Sequence, residues 1–346
     1  MKSKLLFGLL AFCLCACNES GESSSSTVNE TNIVPFSEIL IAPEETYNLA
    51  KVFTKEDYLY QNINYEINDT NVAEVLPGSV LVGKTIGETN LKISISENLY
   101  QNIKILVKEE QYVSEHFRMD AGRLYQKSAV FIGDSITDTR NRPGAGGGIY
   151  APYGETYEYY PELIRDMVPT TTYNYACSGA TAAYTTSEGL GDAFNNYGPQ
   201  QVERAFTDIQ NSNYVFIFLG TNDFMRKVPL GNIDDNPNNY KEATTYYGAF
   251  NLMVKLIKQY NANARIVTIL IPFATWGQNP DNIEGAGETR EDYNQVILKL
   301  CEKHHMLSIN TRDLFNAENQ PTMIPDGIHP AKLGQELLAK RVLSLI

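Results

Sequence analysis

A serine, an acid and a histidine stand out by type and spacing. Ser135 lies in Gly133-Asp134-Ser135-Ile136, and Asp326 and His329 lie in Asp326-Gly327-Ile328-His329-Pro330. A hydroxyl becomes a competent nucleophile when an imidazole takes its proton and a carboxylate holds the second ring nitrogen. The short step from Asp326 to His329 lets both side chains emerge from one turn. The serine lies far from that turn in the chain, so only a fold can complete the set.

The elements needed to do so are legible from Lys127 onward. Apolar runs at 128–132 and 214–219 read as strands, as do 171–176, 265–271 and 306–309. Helical spacing marks 159–168, 199–209, 240–260, 289–304 and 331–345, the long one carrying Phe250, Met253, Val254 and Ile257. Strands alternating with helices imply a parallel sheet covered on both faces. Ligands bind such sheets beyond the carboxyl ends of the strands. Four segments fall there: Gly133-Asp134-Ser135, Ser178-Gly179, Gly220-Thr221-Asn222-Asp223, and Asp326 to His329 before the last helix.

In that order the four segments resemble blocks I, II, III and V of the SGNH (GDSL-type) hydrolases, over residues 127–346. The resemblance implies a flavodoxin-like three-layer α/β/α sandwich for 128–346 and a carboxylic ester hydrolase. Members are esterases, lipases, thioesterases and carbohydrate acetylesterases. It implies Ser135 as nucleophile, His329 as base and Asp326 as the acid that orients it. It also implies an oxyanion hole from the backbone N–H groups of Ser135 and Gly179 and the side-chain amide of Asn222. A side chain at 179 would obstruct substrate approach, and Asn222 can donate while neutral. Asp134 and Asp223 are expected to order their loops. Singly, each segment also reads as an ordinary turn or helix cap.

Other chemistries find less support. Gly-x-Ser-x-Gly is absent, which disfavours an α/β-hydrolase; with four histidines and no His-Glu-x-x-His a zinc hydrolase is disfavoured too, and neither metal nor cofactor is expected. Adjacent His304 and His305 read as a helix C-terminal end, and His116 has no assigned role. A net charge of −13 argues against a nucleic-acid partner. Near the active edge, Arg142 to Tyr160 is rich in Gly and Tyr, Asn232 to Tyr240 in Asn and Asp, and Trp276 follows the fourth strand. Aromatic faces and amides suit sugar rings, although a chain with 22 tyrosines places some there on composition alone. The reading is removal of short acyl groups, acetyl first, from carbohydrate or another small ester. The alternatives are a lipid esterase or thioesterase of the same fold, and a glycan-binding surface lipoprotein with an inactive hydrolase domain.

The remaining chain divides into four. Lys2 and Lys4 precede an apolar run to Cys17, too short to span a bilayer. Leu14-Cys15-Ala16-Cys17 resembles a bacterial lipobox, which implies a signal peptide at 1–17, a lipid anchor on Cys17 and residence in the cell envelope at the outer membrane, with surface exposure left open. Residues 18–31 are Ser-rich and read as a flexible tether. Period-two alternation at Ile63-Tyr65-Ile67, Leu91-Ile93-Ile95 and Ile103-Ile105-Val107 marks an all-β segment over 32–110. That segment resembles the bacterial Ig-like group 2 domains, and reads as a spacer or a glycan-binding module. Residues 111–127 read as a connector with a short helix near 119–125. Cys177 and Cys301 could pair or remain buried thiols. Oligomeric state is left open.

Overall fold

The computed structural model describes residues 32–138, 157–185, 197–272 and 288–344. The expected signal peptide with Cys17, the tether, most of the 142–160 segment and Trp276 lie outside the described residues.

The N-terminal region is built from β1 (Glu38–Ile41), β2 (Thr46–Asn48), β3 (Asn64–Ile67), β4 (Ala73–Leu76), β5 (Val80–Gly83), β6 (Gly87–Ser96) and β7 (Leu99–Val107). They form two sheets, in the orders β1-β7-β6-β3 and β2-β5-β4. Alternation in sequence becomes alternation in burial. Leu91, Ile93, Ile103, Ile105 and Val107 are fully buried, while Asn102 and Lys104 between them face out. Residues 111–127 contribute to two helices, α1 (Glu110–His116) and α2 (Ala121–Leu124). Only Val113 of α1 is buried, so the helix shows no apolar stripe from which sequence could reveal it.

The second region alternates as expected: β8 (Ser128–Gly133), α3 (Tyr160–Met167), β9 (Thr171–Asn174), α4 (Gly198–Arg204), α5 (Phe206–Gln210), β10 (Tyr214–Phe218), α6 (Thr221–Met225), α7 (Tyr246–Tyr260), β11 (Arg265–Ile269), α8 (Arg290–His304), β12 (Leu307–Ile309), α9 (Gln320–Met323) and α10 (Lys332–Val342). Five parallel strands take the order β12-β11-β10-β8-β9. Counted along the chain this is the 2-1-3-4-5 order, which reverses between β8 and β10 and opens a crevice there. Val130, Ile132, Val215 and Ile217 pack on one side with Val202, Phe250, Met253 and Ile257. Ala129, Phe131, Tyr214, Phe216 and Phe218 pack on the other with Ile164 and Leu338. Burial on both faces explains the unbroken apolar runs. Phe117, Met119 and Leu124 join the second cluster, so the connector is part of this core.

Local polar groups move some boundaries. The helix expected over 240–260 starts at Tyr246 because Thr245 Oγ1 accepts the Gly248 N–H at 3.1 Å. Before it, Asn239 Oδ1 accepts the Lys241 and Glu242 N–H groups at 3.0 and 3.3 Å and holds a turn. The strand expected over 171–176 ends at Asn174, whose Oδ1 takes the Ala176 N–H at 3.0 Å. The helix expected over 199–209 breaks at Ala205 into α4 and α5.

Candidate active site

Ser135 sits in the turn directly after β8, at the reversal point of the sheet. Gly133 ends that strand, and a Cβ there would come within 2.5 Å of Thr137 Oγ1, so the tight turn requires glycine. The Gly133 peptide is held on both sides by the buried Gln201: its Oε1 accepts the Gly133 N–H at 2.9 Å, and its Nε2 donates to the Gly133 oxygen at 3.0 Å. Asp134 Oδ1 accepts the Ile136 N–H at 3.0 Å, closing the turn from inside. Burial pushes the Asp134 carboxyl up to about 6, against the pull of its backbone hydrogen bond and of His329.

Ser135 Oγ lies 2.8 Å from His329 Nε2, and His329 Nδ1 lies 2.7 Å from Asp326 Oδ2. A carboxylate only accepts, so Nδ1 carries the ring proton and Nε2 is left to accept from the serine hydroxyl. The other Asp326 oxygen accepts the N–H groups of Ile328 and His329 at 2.9 and 2.7 Å. One carboxylate thus fixes both the turn and the ring. Burial raises the Asp326 pKa, but the hydrogen bonds and charge of His329, with the two backbone N–H groups, outweigh it and hold the group below its usual range. Gly327 has φ +84°, a left-handed conformation that side chains resist. Tyr157 donates to the Pro330 oxygen at 3.3 Å and braces the loop from outside.

The loops after β9 and β10 complete the edge. Gly179 has φ +77°, a second reason for glycine beyond the close approach expected from sequence. Neither its N–H nor that of Ser135 makes a hydrogen bond to any described residue, which leaves two donors for a ligand. Asn222 Nδ2 donates to the Ala180 oxygen at 3.0 Å and reaches Asp134 Oδ2 at 3.4 Å. The amide therefore ties three loops together, and its longer bond is the one a better acceptor would displace. Asp223 is fully buried, and its two oxygens accept the N–H groups of Ala182 and Ala183 at 2.7 and 3.0 Å. Burial pushes this carboxyl up to about 7.

The structure thus brings Ser135, His329 and Asp326 into one hydrogen-bonded chain and joins the Asn222 loop to it through Asp134. Gln201 and Gln335 were not found from sequence, and Tyr157, expected among the tyrosines that could face a sugar, is buried and bonded to Pro330 instead. Gln335 Oε1 accepts the Tyr160 N–H at 2.9 Å while its Nε2 donates to the Ile136 oxygen at 3.2 Å, locking the serine turn to α3 and α10. The one signal for Gln201 was a polar residue on the inward side of a helix. The other histidines stand elsewhere: His116 stacks on Tyr112, His304 bonds Asn251 at 2.7 Å, and His305 is the left-handed C-cap of α8. No disulfide joins Cys177 and Cys301. Among the described residues no group of three or more His, Cys, Asp or Glu could hold a metal ion.

Residues 131–337, more than half of the chain, match the GDSL-like Lipase/Acylhydrolase family. An acetylxylan esterase from Geobacillus stearothermophilus is 24% identical over 224 residues, covering 62% of this chain and 91% of its own. One solved structure, 21% identical, covers 64% of this chain and 95% of its own with a TM-score of 0.50. The solved acetylxylan esterase from G. stearothermophilus is 19% identical, with 64% and 94% coverage and a TM-score of 0.40.

Proposed function

Since this chain belongs to the GDSL-like lipase/acylhydrolase family and is a carboxylic ester hydrolase, we propose that it is a serine esterase that removes short acyl groups, acetyl first, from carbohydrate. The observation that carries the reading is the unbroken chain from Ser135 Oγ through the His329 ring to the Asp326 carboxylate, at 2.8 and 2.7 Å.

In this mechanism Ser135 Oγ attacks the ester carbonyl carbon while His329 Nε2 takes its proton. The carbonyl oxygen gains the negative charge and is met by the N–H groups of Ser135 and Gly179 and by the Asn222 amide. Collapse breaks the bond to the sugar oxygen, which leaves with the proton held by His329. The acyl group remains on Ser135 as an ester. Water then attacks it, His329 takes the water's proton and returns it to Oγ, and the free acid departs. Asp326 stays ionised and stabilises the imidazolium in both halves.

Acetyl and carbohydrate are favoured by the similarity to an acetylxylan esterase. The lipid anchor on Cys17, envelope residence and an Ig-like identity for 32–110 belong to the same reading, on the lipobox and alternation patterns. The test is acetate release from acetylated glycans by the purified chain. Ser135→Ala should abolish it, and turnover surviving that change would overturn the assignment.

A further inference from the structure

Beside the site, a cavity of about 370 Å³ is lined by Tyr184, Thr185, Arg226, Lys227 and Thr244, among others. We infer that it is a subsite for a carboxylate-bearing sugar unit of the polymer, an inference that rests on the carbohydrate-esterase reading above and adds a substrate class to it.

Position comes first. Arg226 donates its N–H to the Asn222 oxygen at 2.9 Å, so it stands one helical turn, roughly 5–6 Å, beyond the amide that faces the ester. Tyr184 continues the segment that Asp223 holds through Ala182 and Ala183. One buried carboxylate therefore joins the cavity's two walls, and both walls run directly into loops of the catalytic edge.

Charge comes second. The chain as a whole is strongly acidic, at −13, and would repel a polyanion. Arg226 and Lys227 nevertheless make no ion pair with any described residue. Asp223, the acid on the same helix, is spent on backbone N–H groups. Two neighbouring cations without ion-pair partners, in a chain of net negative charge, focus attraction at one point. A guanidinium fork fits a carboxylate in particular. Lys227 also adopts φ +55° just past the end of α6, a position that favours glycine.

Ring surface comes third. The Tyr184 ring packs on Tyr197 and Tyr240, with centroids 4.9 and 5.9 Å away. Tyr184 is thereby a braced aromatic wall against which a sugar face can lie while its carboxylate reaches the cations.

The experiment uses the full chain and two probes. With Ser135→Ala, calorimetry against oligogalacturonate should show binding that the added double change Arg226→Gln/Lys227→Gln weakens about tenfold. With active enzyme, acetate release is compared on acetylated polygalacturonate and on its methyl ester, which removes the charge from the same backbone. The charged polymer should be favoured, and the double variant should bring the ratio of the two rates to about one. Unchanged melting temperature shows that the variant is folded. Absence of oligogalacturonate binding, equal binding with and without the cations, or retention of anionic vesicles instead would overturn the subsite. Failure to release acetate from either polymer, with cation-dependent oligogalacturonate binding intact, would strike the esterase reading and leave the subsite standing.

Discussion

Glu45 and Arg265, 220 residues apart in sequence, form a buried ion pair with contacts of 2.6 and 3.2 Å. Glu45 lies between β1 and β2, whereas Arg265 opens β11 at the amino end of the parallel sheet, opposite the Ser135 edge. Arg123 reaches the same carboxylate at 3.2 Å, and the side chains of Arg123, Arg265 and Glu45 are 4%, 7% and 11% exposed. The N-terminal sheets are therefore anchored to the α/β layer through a desolvated cluster, rather than hung on a loose linker.

Removing one member of such a cluster leaves uncompensated charge in the interior. Glu45→Ala is expected to cost about 3–5 kcal/mol of stability, read as a fall in melting temperature, and Glu45→Gln somewhat less. A variant that melts with the parent would show that the cluster contributes nothing.

The same carboxyl gives stability a pH dependence. Burial raises the Glu45 pKa, but the charges of Arg265 and Arg123 and the hydrogen bonds of Arg265 and Ala42 outweigh it, so the folded value lies below 4.5. The folded state thus binds fewer protons. The stabilisation is complete above the unfolded value of 4.5 and is lost as pH falls through the lower folded one. Melting curves should show a drop below pH 4.5 that is shallower in Glu45→Gln; identical slopes would contradict the assignment.

Gln201 is expected to position the nucleophile turn without touching substrate. Gln201→Leu leaves the Gly133 N–H without an acceptor, at about 1–3 kcal/mol for a buried group, while the Gly133 oxygen keeps the Cys177 N–H at 3.0 Å. It should lower kcat more than it raises KM for p-nitrophenyl acetate, because the turn is displaced rather than the substrate pocket. A loss of stability with kcat unchanged would make the clamp structural only.

The sequence and the structure agree most where chemistry is local. Gly133-Asp134-Ser135 and the Asp326–His329 turn are each closed by an aspartate of the motif accepting its neighbours' N–H groups, so short motifs suffice to show them. The three central parallel strands, β8, β10 and β11, were legible because burial on both faces leaves apolar runs. Gln201, Gln335 and the Glu45–Arg265 pair were hidden for one reason: each acts on a distant segment, and a single side chain carries no mark of its partner. Tyr246 as a helix start was missed because Thr245 competes for the first backbone N–H groups, and apolar spacing does not record that competition.

Asn222→Ala should reduce kcat about 10²–10³-fold with a small change in KM, since the amide matters most once the oxyanion has formed. Loss confined to KM would move Asn222 from the transition state to ground-state binding.

Chain length separates the ester classes. Turnover of p-nitrophenyl esters should be highest for acetyl and fall with longer acyl chains. A maximum at eight carbons or more would favour the lipid esterase reading over the carbohydrate one.

The central claim is tested most directly by locating the nucleophile. The full chain is treated with a fluorophosphonate, digested and read by mass spectrometry. A single adduct on the peptide containing Ser135, absent in Ser135→Ala and slowed in His329→Ala, is the expected result. An adduct on another residue, or full labelling of the Ser135→Ala protein, would contradict the account.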